Sequence, residues 1–357
     1  MVKTALLRGV ALGAMGGLAF GAFPAMATPS CSWTSIGWSC SGVSGNLNEN
    51  PSKPVAAAAA GSAVGLQTST VGARVQGVFA GARAGQRMAA IESTGMAAGD
   101  GSSRMSVWLS GAHSSLESDV DLNEFTGNNT VGTMGFDYMP SDNWVYGVSV
   151  FADRASLTTH YNLGSVKRVG YSVVPYVGYN FGQGTTVDAM VGGTYLSTDI
   201  TRASGAGRGS TDGYRMMFAA NLHHNLEFGP WLVRGDVGYS YAHEKHSSWT
   251  EEGSGAHVDE ATANLASGKV GGRLGYALGE FEPYTQVHYV YDFVRNNFSG
   301  AGARPEKPAN DADEVQAAIG FDWFATPTES VGLEFSHSFF REDQHVSTLM
   351  MNARLSF

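Results

Sequence analysis

Apolar and polar side chains alternate in twelve segments between residue 104 and residue 357. In the segment 167–181, Tyr171 and Val173 share one face, whereas Arg168 and Ser172 share the other. A period of two residues predicts β-strands with two chemically different faces. The segments cover residues 104–113, 130–139, 144–157, 167–181, 185–198, 212–227, 231–245, 265–278, 281–294, 312–324, 330–341 and 345–357.

Alternation also occurs in soluble β-sandwiches, so strand length and connection length must distinguish a soluble sandwich from a membrane barrel. Each segment has at least 10 residues, whereas strands of soluble proteins average about five or six and tilted membrane strands need at least about nine. Short turns alternate with long polar loops, as in outer-membrane barrels. Aromatic residues crowd the strand ends, at Trp144, Tyr179, Phe181, Trp231, Phe281, Trp323 and Phe324. The sequence therefore predicts an all-β fold, a twelve-stranded antiparallel transmembrane β-barrel over residues 104–357.

The composition excludes several classes of protein. The net charge of -10 would repel phosphates, so nucleic acid is excluded as a partner. An aromatic content of 11% is too high for a disordered chain. Beyond the first thirty residues, no run of about 20 apolar residues predicts a transmembrane helix.

The first residues predict an export signal. Lys3 and Arg8 supply a basic start, an apolar run follows over residues 9–23, and a small-x-small pattern ends at Ala27. These are the three parts of a secretory signal peptide, which we expect over residues 1–27 with Sec-type export and cleavage near Ala27.

Export makes the two cysteines interpretable. Cys31 and Cys40 lie nine positions apart, and in an oxidising compartment we expect them to form a disulfide that closes a small loop around Trp33 and Trp38. Free thiols are the alternative. A metal site would need two further ligands nearby, and the next histidine is His113, so we predict no metal.

Residues 66–91 predict an α-helix with mostly small side chains, followed by a linker to residue 103. Its charged residues include Arg74, Arg83 and Arg87. Each glycine inside it costs about 1 kcal/mol relative to alanine, so the helix requires confinement. At about 1.5 Å per residue it spans roughly 39 Å, close to the thickness of a bilayer with its headgroups. A flexible linker is the alternative.

The last strand ends in an alternating apolar stripe formed by Leu349, Met351, Ala353, Leu355 and Phe357. Together with a helix that precedes a barrel of this size, the stripe resembles the translocator (β-domain) of autotransporters. These are the monomeric type V secretion proteins of Gram-negative bacteria, and the resemblance covers residues 66–357.

The resemblance implies a function. The helix would thread the pore, and the barrel would display or anchor the short N-terminal passenger, residues 28–65, at the cell surface. The terminal stripe would be the signal read by the barrel assembly machinery. Implied partners are outer-membrane lipid, lipopolysaccharide and periplasmic chaperones, and the protein would be a monomer without a cofactor. Passengers of this family are usually far larger.

A helix with arginines inside a pore predicts charge pairing with inward carboxylates, because unpaired charge is costly at low dielectric. The candidates are Asp137, Asp188, Asp236, Glu282, Asp292, Asp322 and Glu334. The same carboxylates can equally pair with cations of the barrel, and both arrangements stay open. Those cations are Arg168, Arg215, Arg234, Lys269, Arg273 and Arg354.

Two function classes follow. The first is the translocator, and the second is a stand-alone outer-membrane surface protein, adhesin-like or porin-like, that acts through its extracellular loops. We do not expect an enzyme, because the sequence has no G-x-S-x-G, H-E-x-x-H or phosphate-loop motif. Some relatives cut themselves at an asparagine inside the pore, but no asparagine occurs between Asn50 and Asn123.

Overall fold

A computed structural model describes residues 30–34, 37–40, 52–91, 104–118, 124–160, 162–296, 312–326, 328–341 and 344–357. Within these ranges, the side chains of residues 52–57, 80–91 and 295–296 are not described. The signal peptide predicted over residues 1–27 lies outside the described residues.

The described elements are a small hairpin, a long helix and a barrel. The hairpin is β1 (Cys31–Thr34) and β2 (Gly37–Cys40), and the helix is α1 (Ser52–Ile91). The next seven strands are β3 (Met105–Ser118), β4 (Phe125–Ser141), β5 (Trp144–Thr159), β6 (Gly164–Gly182), β7 (Thr185–Arg202), β8 (Gly207–Phe228) and β9 (Trp231–His246). The remaining strands are β10 (Trp249–Thr250), β11 (His257–Val258), β12 (Ala261–Tyr276), β13 (Phe281–Asn296), β14 (Asp313–Thr326), β15 (Glu329–Phe339) and β16 (His345–Ser356).

Twelve strands, β3–β9 and β12–β16, form one closed antiparallel barrel. The barrel closes where β16 pairs with β3, from Ser106 opposite Ser356 to Glu117 opposite His345. Closure leaves no strand edge without a partner, and only helices and closed barrels satisfy every backbone group in hydrocarbon. The fold class predicted from the sequence is confirmed.

Most of the barrel strands are longer than the alternation of side chains predicts. β4 begins at Phe125 rather than at residue 130, and β8 begins at Gly207 rather than at residue 212. The backbone ladder continues into polar pairs such as Thr126 opposite Thr158. Hydrogen bonding between strands does not depend on which side chains face lipid, so the apolar pattern ends before the strand does.

The helix begins at Ser52, fourteen residues before the predicted start at residue 66. Pro54 is tolerated in the first turn because its missing N–H would have no partner there. The alanines that follow it are the best helix formers. Ala58 and Ala59 then lie buried inside the barrel. The domain boundary expected at residue 65 therefore falls inside the helix.

Large apolar side chains cover the outside of the barrel. Val173 is 54% exposed, Phe293 62% and Ile319 64%, whereas their sequence neighbours point inward. Around the turns, Trp144 packs on Tyr179 with ring centroids 4.6 Å apart. Such an apolar band with an aromatic girdle is the surface of a membrane barrel.

One aromatic residue departs from the predicted girdle. Phe324 faces the interior and lines the lumen. Within the described residues, no helix combines the length and the apolar character that a membrane span requires.

We expect Val173→Arg to lower the free energy of unfolding in lipid vesicles by about 2–4 kcal/mol, because it places a cation near the middle of the lipid-facing band. Ser336→Arg is the matched control, because Ser336 lines the lumen. Urea titration followed by tryptophan fluorescence measures both variants. Equal destabilisation by the two substitutions would contradict an apolar exterior and a wet interior.

Candidate functional site in the barrel lumen

The helix lies off-centre in the lumen. Its contacts are mainly with β4, β5, β6 and β7. Val71, Val75 and Phe79 are buried there against wall residues such as Val145 and Val174. The helix is therefore packed on one wall by apolar contacts, and the opposite side of the lumen stays open.

The open side is a cavity of about 430 Å³ between the helix and a wall formed mainly by β12–β16. The helix presents Gly61, Gly65 and Gly77 to it, and an added Cβ at any of these would meet no atom within 4 Å. These glycines are therefore not required for close packing.

Gly178 in β6 has the opposite surroundings. A Cβ there would lie 2.4 Å from Cγ1 of Val75 and 2.7 Å from Cγ1 of Val145. The helix can approach this wall only because position 178 has no side chain.

Hydrogen bonds from Gln67, Arg74 and Gln76 of the helix hold it to the wall. The Gln67 amide donates to the Ser172 hydroxyl at 2.9 Å, and the Gln76 amide donates to the Thr186 hydroxyl at 2.6 Å. Between them, Arg74 donates from Nε to Asp137 Oδ2 at 2.5 Å. These contacts set both the depth and the rotation of the helix.

The pair of Arg74 and Asp137 is the centre of a buried network. Arg74 is 8% exposed and Asp137 is fully buried. Ser106 accepts a hydrogen bond from the guanidinium at 2.6 Å, and Tyr176 donates its hydroxyl proton to Asp137. Trp108 in turn donates to the Tyr176 hydroxyl at 3.0 Å. A charge that is removed from water needs such a counter-charge and hydrogen-bond partners, because burial of an unpaired charge is costly.

Two glycines make room for the aromatic members of this network. A Cβ at Gly135 would lie 2.3 Å from the Trp108 ring, and one at Gly147 would lie 2.1 Å from the Tyr176 ring. Sequence reasoning missed Trp108 and Tyr176. The available signal was an aromatic residue at an inward position, opposite a glycine on a neighbouring strand.

All seven carboxylates predicted to face the lumen do so, and besides Asp137 the other six also have partners on the barrel. Asp188 and Asp236 bind the two ring nitrogens of His223, at 2.8 Å and 2.5 Å. Asp236 also contacts Arg234 Nε at 2.9 Å and His288 Nε2 at 3.1 Å.

The other four of these six lie nearer β13–β15. Arg273 Nη2 bridges Glu282 at 2.8 Å and Asp322 at 2.6 Å. Arg341 contacts Asp292 at 2.9 Å. Glu334 accepts a hydrogen bond from the Tyr284 hydroxyl at 2.9 Å.

The structure thus brings Arg74 to one of the predicted carboxylates, Asp137. The side chains of Arg83 and Arg87 lie outside the described residues.

Of the predicted barrel cations, Arg234 and Arg273 bind predicted carboxylates, and Lys269 lines the cavity. Arg168 and Arg215 instead contact Glu244, at 3.5 Å and 2.6 Å. Arg354 donates to the Gly77 carbonyl at 3.5 Å.

The lumen contains the helix, and ion pairs neutralise many of the charges that line it. Most of the ionisable groups in the lumen are held in ion pairs or hydrogen bonds, and these contacts fix the positions of their side chains. Among the described residues, no three histidine, cysteine or acidic side chains are arranged to hold a metal ion.

The stripe formed by Leu349, Met351, Ala353, Leu355 and Phe357 lies along β16, with Leu349, Met351, Leu355 and Phe357 exposed on the outside.

A family model described as Autotransporter beta-domain matches residues 107–336. The translocator domain of the autotransporter NalP from Neisseria meningitidis is similar in structure, with a TM-score of 0.63 and 15% identity over 83% of this chain and 99% of that one. The beta domain of the Bordetella autotransporter BrkA has a TM-score of 0.58 and 15% identity, over 71% of this chain and 100% of that one. The transport unit of AIDA-I from Escherichia coli has a TM-score of 0.54 and 12% identity over 78% and 98%. No curated protein matches the chain.

We expect Asp137→Asn to destabilise the folded barrel by about 3 kcal/mol, because it leaves the Arg74 charge buried without a counter-charge. The double variant Arg74→Met/Asp137→Leu should recover most of this loss. Urea titration in detergent measures both. Glu260→Gln is the control, because it removes an exposed partner of Lys245 and should leave the unfolding midpoint unchanged. A double variant that is no more stable than Asp137→Asn would contradict the role of the pair.

Two glycine substitutions test the off-centre packing. Gly65→Ala should stabilise the protein by up to about 1 kcal/mol, since alanine favours the helix and the new methyl group enters open space. Gly178→Ala should destabilise it by at least about 1 kcal/mol, since the methyl group would displace Val75. The same unfolding measurement applies. If Gly178→Ala is neutral, the helix does not lie against β6.

Proposed function

Because the chain belongs to the autotransporter beta-domain family, we propose that it carries its own N-terminal segment through the barrel and anchors that segment at the cell surface. Barrels of this family are outer-membrane translocators of Gram-negative bacteria, and the family is generally not catalytic.

The direction of the helix carries the proposal. Ala58, near its beginning, packs among Leu116 and Leu157, which lie where the strands meet the long loops. Gln76 binds Thr186, the second residue of β7 after the turn that joins it to β6. The helix therefore runs from the loop end to the turn end, and β3 starts at the turn end. Since outer-membrane barrels have long loops outside and short turns in the periplasm, the segment before the helix is on the outside.

The exterior supports the proposed partners. The apolar band suits outer-membrane lipid and lipopolysaccharide, and a closed barrel needs no second copy to cover an edge, so a monomer suffices. The outward residues of β16, including Leu349 and Leu355, stay accessible along the seam with β3. They are suited to recognition by the barrel assembly machinery, and an unfolded strand in the periplasm is suited to chaperone binding.

The alternative is a stand-alone surface barrel that acts through its loops, with adhesin-like or porin-like activity. It is favoured by the small β10–β11 hairpin, which gives one outer loop a defined structure of its own. The two functions differ in the location of the cysteine hairpin, which only the translocator needs outside.

Cysteine labelling on intact cells tests the orientation. The reagent is a PEG-maleimide too large to cross the outer membrane, applied to the wild type after mild reduction to report on Cys31 and Cys40. In a Cys31→Ser/Cys40→Ser background, Ser248→Cys reports on a loop and Asp142→Cys on a turn.

We expect the wild-type cysteines and Ser248→Cys to react on intact cells, and Asp142→Cys to react only after the outer membrane is permeabilised. Wild-type cysteines that react only after permeabilisation would refute display and favour the stand-alone barrel.

A further inference from the structure

The disulfide hairpin requires support from elsewhere in the protein. Cys31 pairs with Cys40 and Trp33 with Trp38 in its two strands, and the two cysteines form a disulfide. Each strand has only four residues, and an isolated two-stranded hairpin is marginally stable at best.

The two tryptophans of the hairpin have different surroundings. Trp38 is 7% exposed, whereas Trp33 is 43% exposed. Trp38 and Cys40 form an apolar cluster with Ala203, which lies in the loop between β7 and β8. The hairpin therefore has one defined face that packs on the outer loops.

A buried carboxylate fixes the indole of Trp38. The Trp38 N–H donates to Glu251 Oε2 at 3.3 Å. Arg202 holds the same carboxylate from Nε at 2.5 Å and from Nη2 at 2.8 Å. Burial raises the pKa of Glu251, but hydrogen bonds from Arg202 and Ser254 outweigh this effect and hold the pKa below its ordinary value. The carboxylate is thus ionised and oriented toward the indole.

The loop backbone follows the shape of the indole. Gly253 has a φ of +94°, and a Cβ there would lie 2.3 Å from the Ala206 carbonyl oxygen and 3.2 Å from the Trp38 ring. Glu252 continues the contact by donating its N–H to the Arg208 carbonyl at 2.8 Å. Two loops that are far apart in sequence are joined beneath the hairpin.

We propose that the outer loops form a docking pocket for the chain's own disulfide hairpin, and that the docked hairpin is a latch on the outer end of α1. The latch keeps the N-terminal segment folded on the barrel rim instead of leaving it as a free tether. That this rim faces the outside of the cell rests on the proposed function, whereas docking is independent of the orientation in the membrane.

The distribution of polar contacts along the helix explains why a latch is useful. Its strong anchors begin at Gln67, near the middle of the helix, and continue toward the turns with Arg74 and Gln76. Before Gln67, the helix has alanine packing and a hydrogen bond from Asn129 to Ser62 at 3.4 Å. Docking of the hairpin gives this weakly held outer part a second fixed point.

Hydrogen exchange measured by mass spectrometry on the purified full-length protein in detergent tests the latch. We expect Trp38→Ala to accelerate exchange by at least about tenfold in residues 31–40 and 58–66, because the anchor of the hairpin is lost. Residues 70–78, held by Arg74, should keep their protection. Trp33→Ala is the matched control, since it removes the exposed tryptophan of the same hairpin.

Equal exchange in the Trp38→Ala and Trp33→Ala proteins would overturn the proposal. Glu251→Gln provides a second variant should Trp38→Ala not fold, and it should accelerate exchange in residues 31–40, whereas Glu260→Gln should not. No acceleration in Glu251→Gln would overturn the role of the carboxylate. Because these measurements use purified protein, a failure of docking is distinguishable from a failure of display, which the labelling of intact cells reports.

Discussion

The requirement that every backbone N–H and C=O be hydrogen-bonded in hydrocarbon is the constraint on which this structure depends. Twelve strands meet it by closing β16 onto β3. Closure fixes the two faces of every strand, because alternate side chains must point either to lipid or to the lumen. The lumen is consequently lined with polar and charged groups, and its chemistry follows from the need to satisfy them.

The helix contacts some of these lumenal groups on one side, and residues of the barrel contact the others. Its valines pack against β5 and β6, and Arg74 neutralises the fully buried Asp137. Around the cavity, barrel residues such as Arg273 and Arg341 neutralise the carboxylates. The helix is thus held by a few specific contacts, while small residues on its other face keep it thin. This combination suits the proposed passage of the N-terminal segment through the pore.

The sequence predicts the strands and their faces because both follow from a local period of two, as in the outward Val173 and the inward Arg168. It also predicts a helix with arginines, which the family resemblance places in the lumen. It does not predict which groups meet, because the contact of Arg74 with Asp137, and not with Asp188, depends on barrel shear and helix rotation, which involve residues far apart in the chain. The helix starts at Ser52 rather than at the predicted residue 66, because Pro54 is tolerated in the first turn and the alanines that follow it favour a helix.

A disulfide cross-link in the native outer membrane tests the threaded helix most directly. A Cβ at Gly72 would lie 3.4 Å from Nδ2 of Asn221 in β8, so Gly72→Cys and Asn221→Cys form a matched pair in a Cys31→Ser/Cys40→Ser background. With the helix seated against this wall, mild oxidation should join the two cysteines, whereas Gly65→Cys with Asn221→Cys should stay reduced because position 65 faces open space. Absence of the first cross-link, or equal yields from the two pairs, would contradict a helix seated in the lumen.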